Sequence, residues 1–162
     1  MSATLARDVQ PGTVVWRPLS ESDIGEVARL ESEAHVAPWT PGNFRDALAA
    51  GYGMTVGVAG GAILAYGVLL FAPGEAQILN LTVAPEARRL GLGRSLLRRF
   101  LADAKARGAV QCFLEVRESN VPAVALYGRE GFVPVARRIG YYPAANATRE
   151  DALVMRKSLG PH

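Results

Sequence analysis

The sequence predicts a mixed α/β (α+β) protein, a mostly antiparallel sheet of about seven strands flanked by about four helices. Three observations carry this prediction. Two apolar runs of strand length, Met54 to Ala59 and Ala62 to Phe71, are divided by Gly60-Gly61, a hairpin signal. Further on, a glycine loop opens an amphipathic segment, Arg94 to Arg107, and a second strand-like run follows it, so one strand-loop-helix-strand unit sits at the centre. At 162 residues and 49% hydrophobic content, the chain can bury one core but is too short for two domains of ordinary size.

Along the chain, Met1 to Gly12 reads as a flexible tail, 13–158 as a single domain and 159–162 as a short C-terminal tail. Thr13 to Pro18 alternates and is β-branched, which predicts the first strand. Ser20 is placed as the N-cap of a helix whose first turn is acidic and whose stripe is Ile24, Val27, Ala28, Leu30 and Ala34. His35 to Trp39 breaks that helix, Thr40-Pro41 restarts a short one in the cap-then-proline pattern, and Gly51 ends it. After the glycine hairpin, Gln77 to Val83 reads as a strand and Ala84 to Gly93 as a loop. The helix Arg94 to Arg107 buries Leu96, Leu97, Phe100, Leu101 and Ala104 and is closed by Gly108. Val110 to Arg117 is the next strand, and a helix runs from about Asn120 to Glu130, where Gly131 stops it. Phe132 to Ile139 and Ala152 to Met155 are the last strands, separated by a loop over Gly140 to Thr148.

Composition narrows the function. The single cysteine, Cys112, closes no intrachain disulfide and, with only two histidines, His35 and His162, argues against a zinc site; no metal is expected, and a reducing cytoplasm suits the chain. A net charge of +3 is a mild excess, gathered in Arg88, Arg89, Arg94, Arg98 and Arg99 around one loop without interleaved aromatics, which favours a local polyphosphate ligand over a nucleic-acid face. Ala47 to Gly74 carries no charge, but its glycines cut it into strand-length pieces, so no membrane span is expected. Met1 to Gly12 lacks the apolar core of a secretory signal.

The loop Arg89-Leu90-Gly91-Leu92-Gly93-Arg94 enters a helix directly from a strand. Its glycines let backbone approach a phosphate, and the helix start points successive N–H groups at it; alternatively, the glycines only shape a turn and the arginines are solvated. A dinucleotide fingerprint is the weaker reading, because Leu96 stands where its third glycine would be.

These residues resemble the GNAT acetyltransferases, whose acetyl-CoA motif appears here as Arg88-Arg89-Leu90-Gly91-Leu92-Gly93. Asn80-Leu81-Thr82-Val83, Leu114 to Asn120, Ala125-Leu126-Tyr127 and Gly131-Phe132 resemble the RimI type, which acetylates the N-terminal alanine of a small-subunit ribosomal protein. His35-x-x-Pro38-Trp39, Arg138 to Pro143 and Arg149 to Ala152 extend the resemblance over roughly residues 15 to 157. It implies a sheet splayed at its centre with acetyl-CoA, the cosubstrate, in the notch. Leu81, Thr82, Val83, Arg89, Leu90, Gly91, Leu92, Gly93, Arg94 and Asn120 would contact it. On strand pattern alone, Leu81 and Val83 are equally well core residues.

Acetyl transfer to an amine needs a neutral nitrogen, donors for the thioester oxygen and a proton for the leaving thiolate. Glu115 is the candidate base: it alternates with Phe113 and Arg117, away from Cys112 and Leu114. A solvated or salt-bridged strand glutamate is its plain alternative. Tyr127 shares helical spacing with Val124 and reads from that pattern as a core tyrosine; the resemblance implies that it protonates the thiolate. Cys112 is not expected to carry the acetyl group, since its strand parity opposes that of Glu115. His35 is a conceivable base but better suited, with Trp39, Tyr141 and Tyr142, to wall the substrate entrance.

The expected function is direct acetyl transfer to the N-terminal α-amino group of a ribosomal protein by a cytoplasmic monomer, with no direct contact to nucleic acid or membrane. A GNAT enzyme for small amines or protein lysines, and a non-catalytic acyl-CoA sensor, are the alternatives.

Overall fold

The computed structural model describes residues 13–160; the proposed tail Met1 to Gly12 and the last two residues lie outside them. The described residues form seven strands and four α-helices: β1 (Val15–Pro18), α1 (Ile24–Ala34), α2 (Pro41–Ala49), β2 (Gly53–Ala59), β3 (Ala62–Ala72), β4 (Glu75–Val83), α3 (Leu92–Ala106), β5 (Gln111–Arg117), α4 (Val121–Arg129), β6 (Val133–Pro143) and β7 (Arg149–Ser158). Their sheet order is β1-β2-β3-β4-β5-β7-β6. The β1–β2, β2–β3, β5–β7 and β6–β7 pairs are antiparallel, and β4 with β5 is parallel, as a crossover through α3 demands. The chain divides into two compact units, the described residues through Leu69 with Asn80–Phe100, and Leu70–Leu79 with Leu101 onward.

In the first unit, α1 buries Ile24, Val27 and Leu30 as the stripe predicts, and with them the carboxylate of Glu31. Its entry differs from the prediction. Glu21–Asp23 is a short 3-10 turn ahead of α1, held by the Ser20 N–H donating to Asp23 Oδ2 at 2.8 Å. Arg17 clamps the same carboxylate at 2.7 and 2.9 Å, which pulls the Asp23 pKa down to about 2. Thr40 caps α2 reciprocally with Asn43, at 3.1 and 2.9 Å, with Pro41 at the first helical position. Gly60 and Gly61 have φ of 59° and 77°, the pair of left-handed residues a two-residue hairpin requires, so the uncharged stretch becomes β2 and β3. Among the described residues no helix is long and apolar enough to cross a membrane.

In the second unit, β5 alternates half-buried and buried positions from Gln111 to Arg117, with Cys112, Leu114 and Val116 inward. Pairing with β4 joins Glu75–Ile78 to Gln111–Leu114. The final hairpin is longer than its sequence suggests. β6 runs through Pro143 and β7 starts at Arg149, because Arg149 donates to the carbonyls of Gly140 and Tyr141, and Asp151 accepts from the Gly140 N–H at 2.9 Å. Gly140 to Pro143 is thus strand, and the turn shrinks to Ala144 to Thr148. Leu159, placed by sequence in the tail, is buried, and its N–H donates to the Val110 carbonyl at 2.8 Å.

Candidate active site

The first unit contains the glycine loop. After β4, the Ala84 N–H donates to the Leu64 carbonyl at 2.8 Å and Pro85–Ala87 makes one 3-10 turn, which seats the buried Ala87. Arg89 then adopts φ 68° and Gly91 φ 78°, so the backbone twice enters the left-handed region before α3 begins. A Cβ at Gly91 would meet nothing within 4 Å, so space is open there although the backbone is strained for any L side chain. The helix starts at Leu92, two residues before the expected Arg94, with the Ser95 N–H donating to the Gly91 carbonyl at 3.1 Å. Leu92 is buried, so its side chain belongs to the core and any cofactor contact it makes is through its backbone. Arg88 and Arg89 are exposed, and Leu90 is half-buried.

On β4, Thr82 turns inward while Leu81 and Val83 are half-buried, the strand alternation inverted from a simple apolar-in pattern. Thr82 Oγ1 lies 2.8 Å from His35 Nε2 and donates to Asn80 Oδ1 at 2.7 Å. Trp39 stacks at a tilt on Phe44, ring centroids 5.2 Å apart, and its backbone N–H donates to Glu31 at 3.0 Å. The His35 to Trp39 segment is therefore tied at both ends, through a carboxylate that the sequence reading passed over. Burial holds the Tyr66 phenol far above its usual range, with Glu31 beside it adding to the effect.

The second unit contains Glu115, whose side chain is only 15% exposed. Its Oε1 lies 2.8 Å from Arg138 Nε. The pair borders a shallow pocket of about 250 Å³ that Leu70, Gln77, Phe113 and Val154 also line. Tyr141 and Tyr142 meet edge to face at 5.1 Å; Arg138 covers the first ring at 5.2 Å and Arg117 the second at 4.5 Å. Burial and the Glu115 charge push the Tyr142 phenol up to about 12, with Tyr141 adding and the two arginines opposing. Arg117 also holds Glu150 at 2.9 Å. Tyr127 is buried beside Phe132 at 5.9 Å, and burial, with a smaller contribution from Tyr142, raises its phenol to about 12. It is fully protonated at neutral pH. Asn120 caps α4, its Oδ1 accepting from the Ala123 N–H at 3.3 Å.

Cys112 is fully buried, and burial raises its thiol to about 12, so it is no nucleophile at neutral pH. Among the described residues no group of three His, Cys, Asp or Glu side chains could hold a metal ion.

The sequence reading missed Glu31, Tyr66, Asn80 and Arg138 as site residues. Glu31 carried a signal: it falls four residues after Val27 and seven after Ile24, on the apolar face of α1, where a carboxylate needs partners.

Known proteins resemble this chain over most of its length. Residues 24–132 match the acetyltransferase (GNAT) family. The chain is 34% identical over 137 residues to the ribosomal protein bS18-alanine N-acetyltransferase of Escherichia coli K12, covering 85% of this chain and 92% of that protein. It is 35% identical over 163 residues to the N-alpha-acetyltransferase RimI of Mycobacterium tuberculosis, covering 96% and 98%. The crystal structure of the ribosomal-protein-S18-alanine N-acetyltransferase from Escherichia coli matches with a TM-score of 0.86 at 31% identity, over 92% of this chain and 96% of that one.

Proposed function

The chain belongs to the acetyltransferase (GNAT) family, and from that premise we propose that it moves an acetyl group from acetyl-CoA to a protein N-terminal α-amino group, that of an alanine on a small-subunit ribosomal protein. The observation that carries this reading is the similarity, over nearly whole lengths, to enzymes named for alanine and N-alpha acetylation. The proposed catalytic domain is 13–159, its end moved out to the buried Leu159, acting as a cytoplasmic monomer.

The local chemistry suits the reaction. The left-handed φ of Arg89 and Gly91 and the open space at Gly91 ahead of α3 support this loop as the proposed anion cradle for the cofactor pyrophosphate, with Arg89 and Arg94 supplying charge. The backbone of Leu81, Thr82 and Val83 and the side chain of Asn120 complete the proposed cofactor contacts. The amine nitrogen attacks the thioester carbonyl, the C–S bond breaks, Glu115 takes the amine proton directly or through water, and Tyr127 gives its phenolic proton to the thiolate. With Cys112 sealed in the core, no acetyl-enzyme is formed. His35, Trp39, Tyr141 and Tyr142 are the proposed acceptor contacts.

The test is an acetylation assay on peptides that differ only in the first residue, read by mass spectrometry. Alanine-initiated peptide should be preferred; equal rates for all first residues would reduce the reading to a general amine acetyltransferase.

A further inference from the structure

The carboxylate of Glu31 has no part in the scheme above, yet among the described residues of the first unit it is more deeply buried than Asp23, the other buried acid. It is 2% exposed. The Tyr66 hydroxyl donates to its Oε1 at 2.8 Å, Asn80 Nδ2 to the same oxygen at 3.0 Å, and the Trp39 backbone N–H to Oε2 at 3.0 Å. A carboxylate can only accept, so this anchor dictates the direction of every bond beyond it. Asn80 must turn its amide nitrogen to Glu31 and its Oδ1 to Thr82. The Thr82 hydroxyl has one hydrogen, and it is given to that Oδ1 at 2.7 Å. The contact between Thr82 Oγ1 and His35 Nε2 at 2.8 Å then requires Nε2 to be the donor. Nε2 also lies 3.5 Å from Glu31 Oε1, which favours a proton on the same nitrogen. In neutral imidazole, a proton on Nε2 leaves Nδ1 as a lone-pair acceptor.

We propose that Glu31 is a positioning residue for the acceptor: through Asn80 and Thr82 it fixes His35 as the Nε2–H tautomer, so that Nδ1 accepts a hydrogen bond from the incoming free amino group. The same carboxylate pins the backbone at Trp39, so the ring and its loop are held as one piece. This rests on the N-terminal acetyltransferase reading and adds a recognition contact to it. Glu31→Gln leaves one side-chain oxygen where two accepted, and with its amide NH2 turned to the Oε1 side it opposes the Tyr66 hydroxyl and Asn80 Nδ2. Asn80 is then free to flip, the Thr82 hydrogen can turn to His35, and the Nδ1–H tautomer, which would oppose an amine N–H, becomes accessible.

Two measurements test this on the full chain. The first is 15N NMR of histidine-labelled protein, with His35 assigned by a His162→Ala variant. The neutral wild-type imidazole should carry its proton on Nε2, and Glu31→Gln should populate both tautomers. The second is steady-state kinetics with an alanine-initiated peptide. Glu31→Gln should raise the peptide KM roughly tenfold, the scale of one lost charge-assisted hydrogen bond, while the acetyl-CoA KM stays within about twofold. A purely structural role would lower the amount of active enzyme and move neither KM. Where Glu31→Gln does not fold, Thr82→Val breaks the same relay and is read the same way. An Nδ1-protonated wild-type His35, or a folded variant with an unchanged tautomer or unchanged peptide KM, overturns the proposal. Failure of the wild type to acetylate any peptide overturns the function instead, and the tautomer measurement still decides the relay.

Discussion

Arg138 Nε stands 2.8 Å from Glu115 Oε1, an ion pair that reaches over β7, the strand lying between β6 and β5 in the sheet. The carboxylate on β5 is thus oriented by a side chain from the edge strand, and Arg138 is itself braced over the Tyr141 ring. Glu115→Gln should lower kcat by about 10²–10⁴, the usual worth of a general base, with little change in acetyl-CoA affinity. The deficit should shrink from about pH 7 to about pH 9, because an α-amino group with a pKa of about 8 loses its proton unaided over that range. Arg138→Ala should cost kcat only about threefold to tenfold, since half-exposed ion pairs orient more than they stabilise. Kinetics across that pH range check both, and a Glu115→Gln deficit that grows with pH would remove the base assignment.

Gly91→Asp should weaken acetyl-CoA binding by at least about tenfold, because a carboxylate at the helix start repels the pyrophosphate. Gly91→Ala should weaken it less. Its Cβ enters open space, and its cost is confined to the left-handed φ of 78°, about 1 kcal/mol of backbone strain. Titration calorimetry separates the two, and wild-type affinity in the aspartate variant would dismiss the anion cradle.

Cys112→Ala should keep most activity, and no acetyl adduct should accumulate on wild-type protein incubated with acetyl-CoA alone. A thiol raised to about 12 by burial is not a thiolate at working pH. Intact-mass spectrometry after such incubation gives the answer, with a stoichiometric adduct at Cys112 as the adverse result.

The clamp between Arg17 and Asp23 should make folding stability depend on acid. The folded Asp23 pKa is about 2, below its unfolded value of about 3.9, so its contribution is present above the unfolded value and lost as pH falls through the folded one. Asp23→Asn should cost ~1–2 kcal/mol at neutral pH, discounted because Arg17 is partly exposed, and almost nothing near about pH 2. Denaturant unfolding of both proteins at the two pH values reads this directly; an equal difference at each would contradict it.

Much of the fold was legible because it rests on local signals: Gly60-Gly61 for the hairpin, Thr40-Pro41 for α2, and alternation in β5. The misjudged segments are those fixed by distant partners. Gly140 to Pro143 looks like a loop from its glycine and proline, yet Arg149 and Asp151 satisfy its backbone and draw it into β6. Likewise Leu92 looked like loop because it stands between two glycines, but its burial pulls the start of α3 forward. The site shows the same division. Glu115, Tyr127 and the glycine loop were named from motifs, whereas Glu31 and Arg138 matter through partners 35 and 23 positions away, at Tyr66 and Glu115, which no window of sequence brings together.

The proposed acceptor is a free α-amino group, and a three-way comparison of kcat/KM tests it. The acceptors are an alanine-initiated peptide, the same peptide blocked at its N-terminus but carrying a lysine, and a polyamine. The free N-terminus should be acetylated at least about a hundredfold faster than either, since an amine with a pKa of about 8 is far more often neutral at working pH than a lysine of about 10.4. Faster turnover of the blocked peptide or the polyamine would contradict the proposed acceptor while leaving the acetyl-transfer chemistry in place.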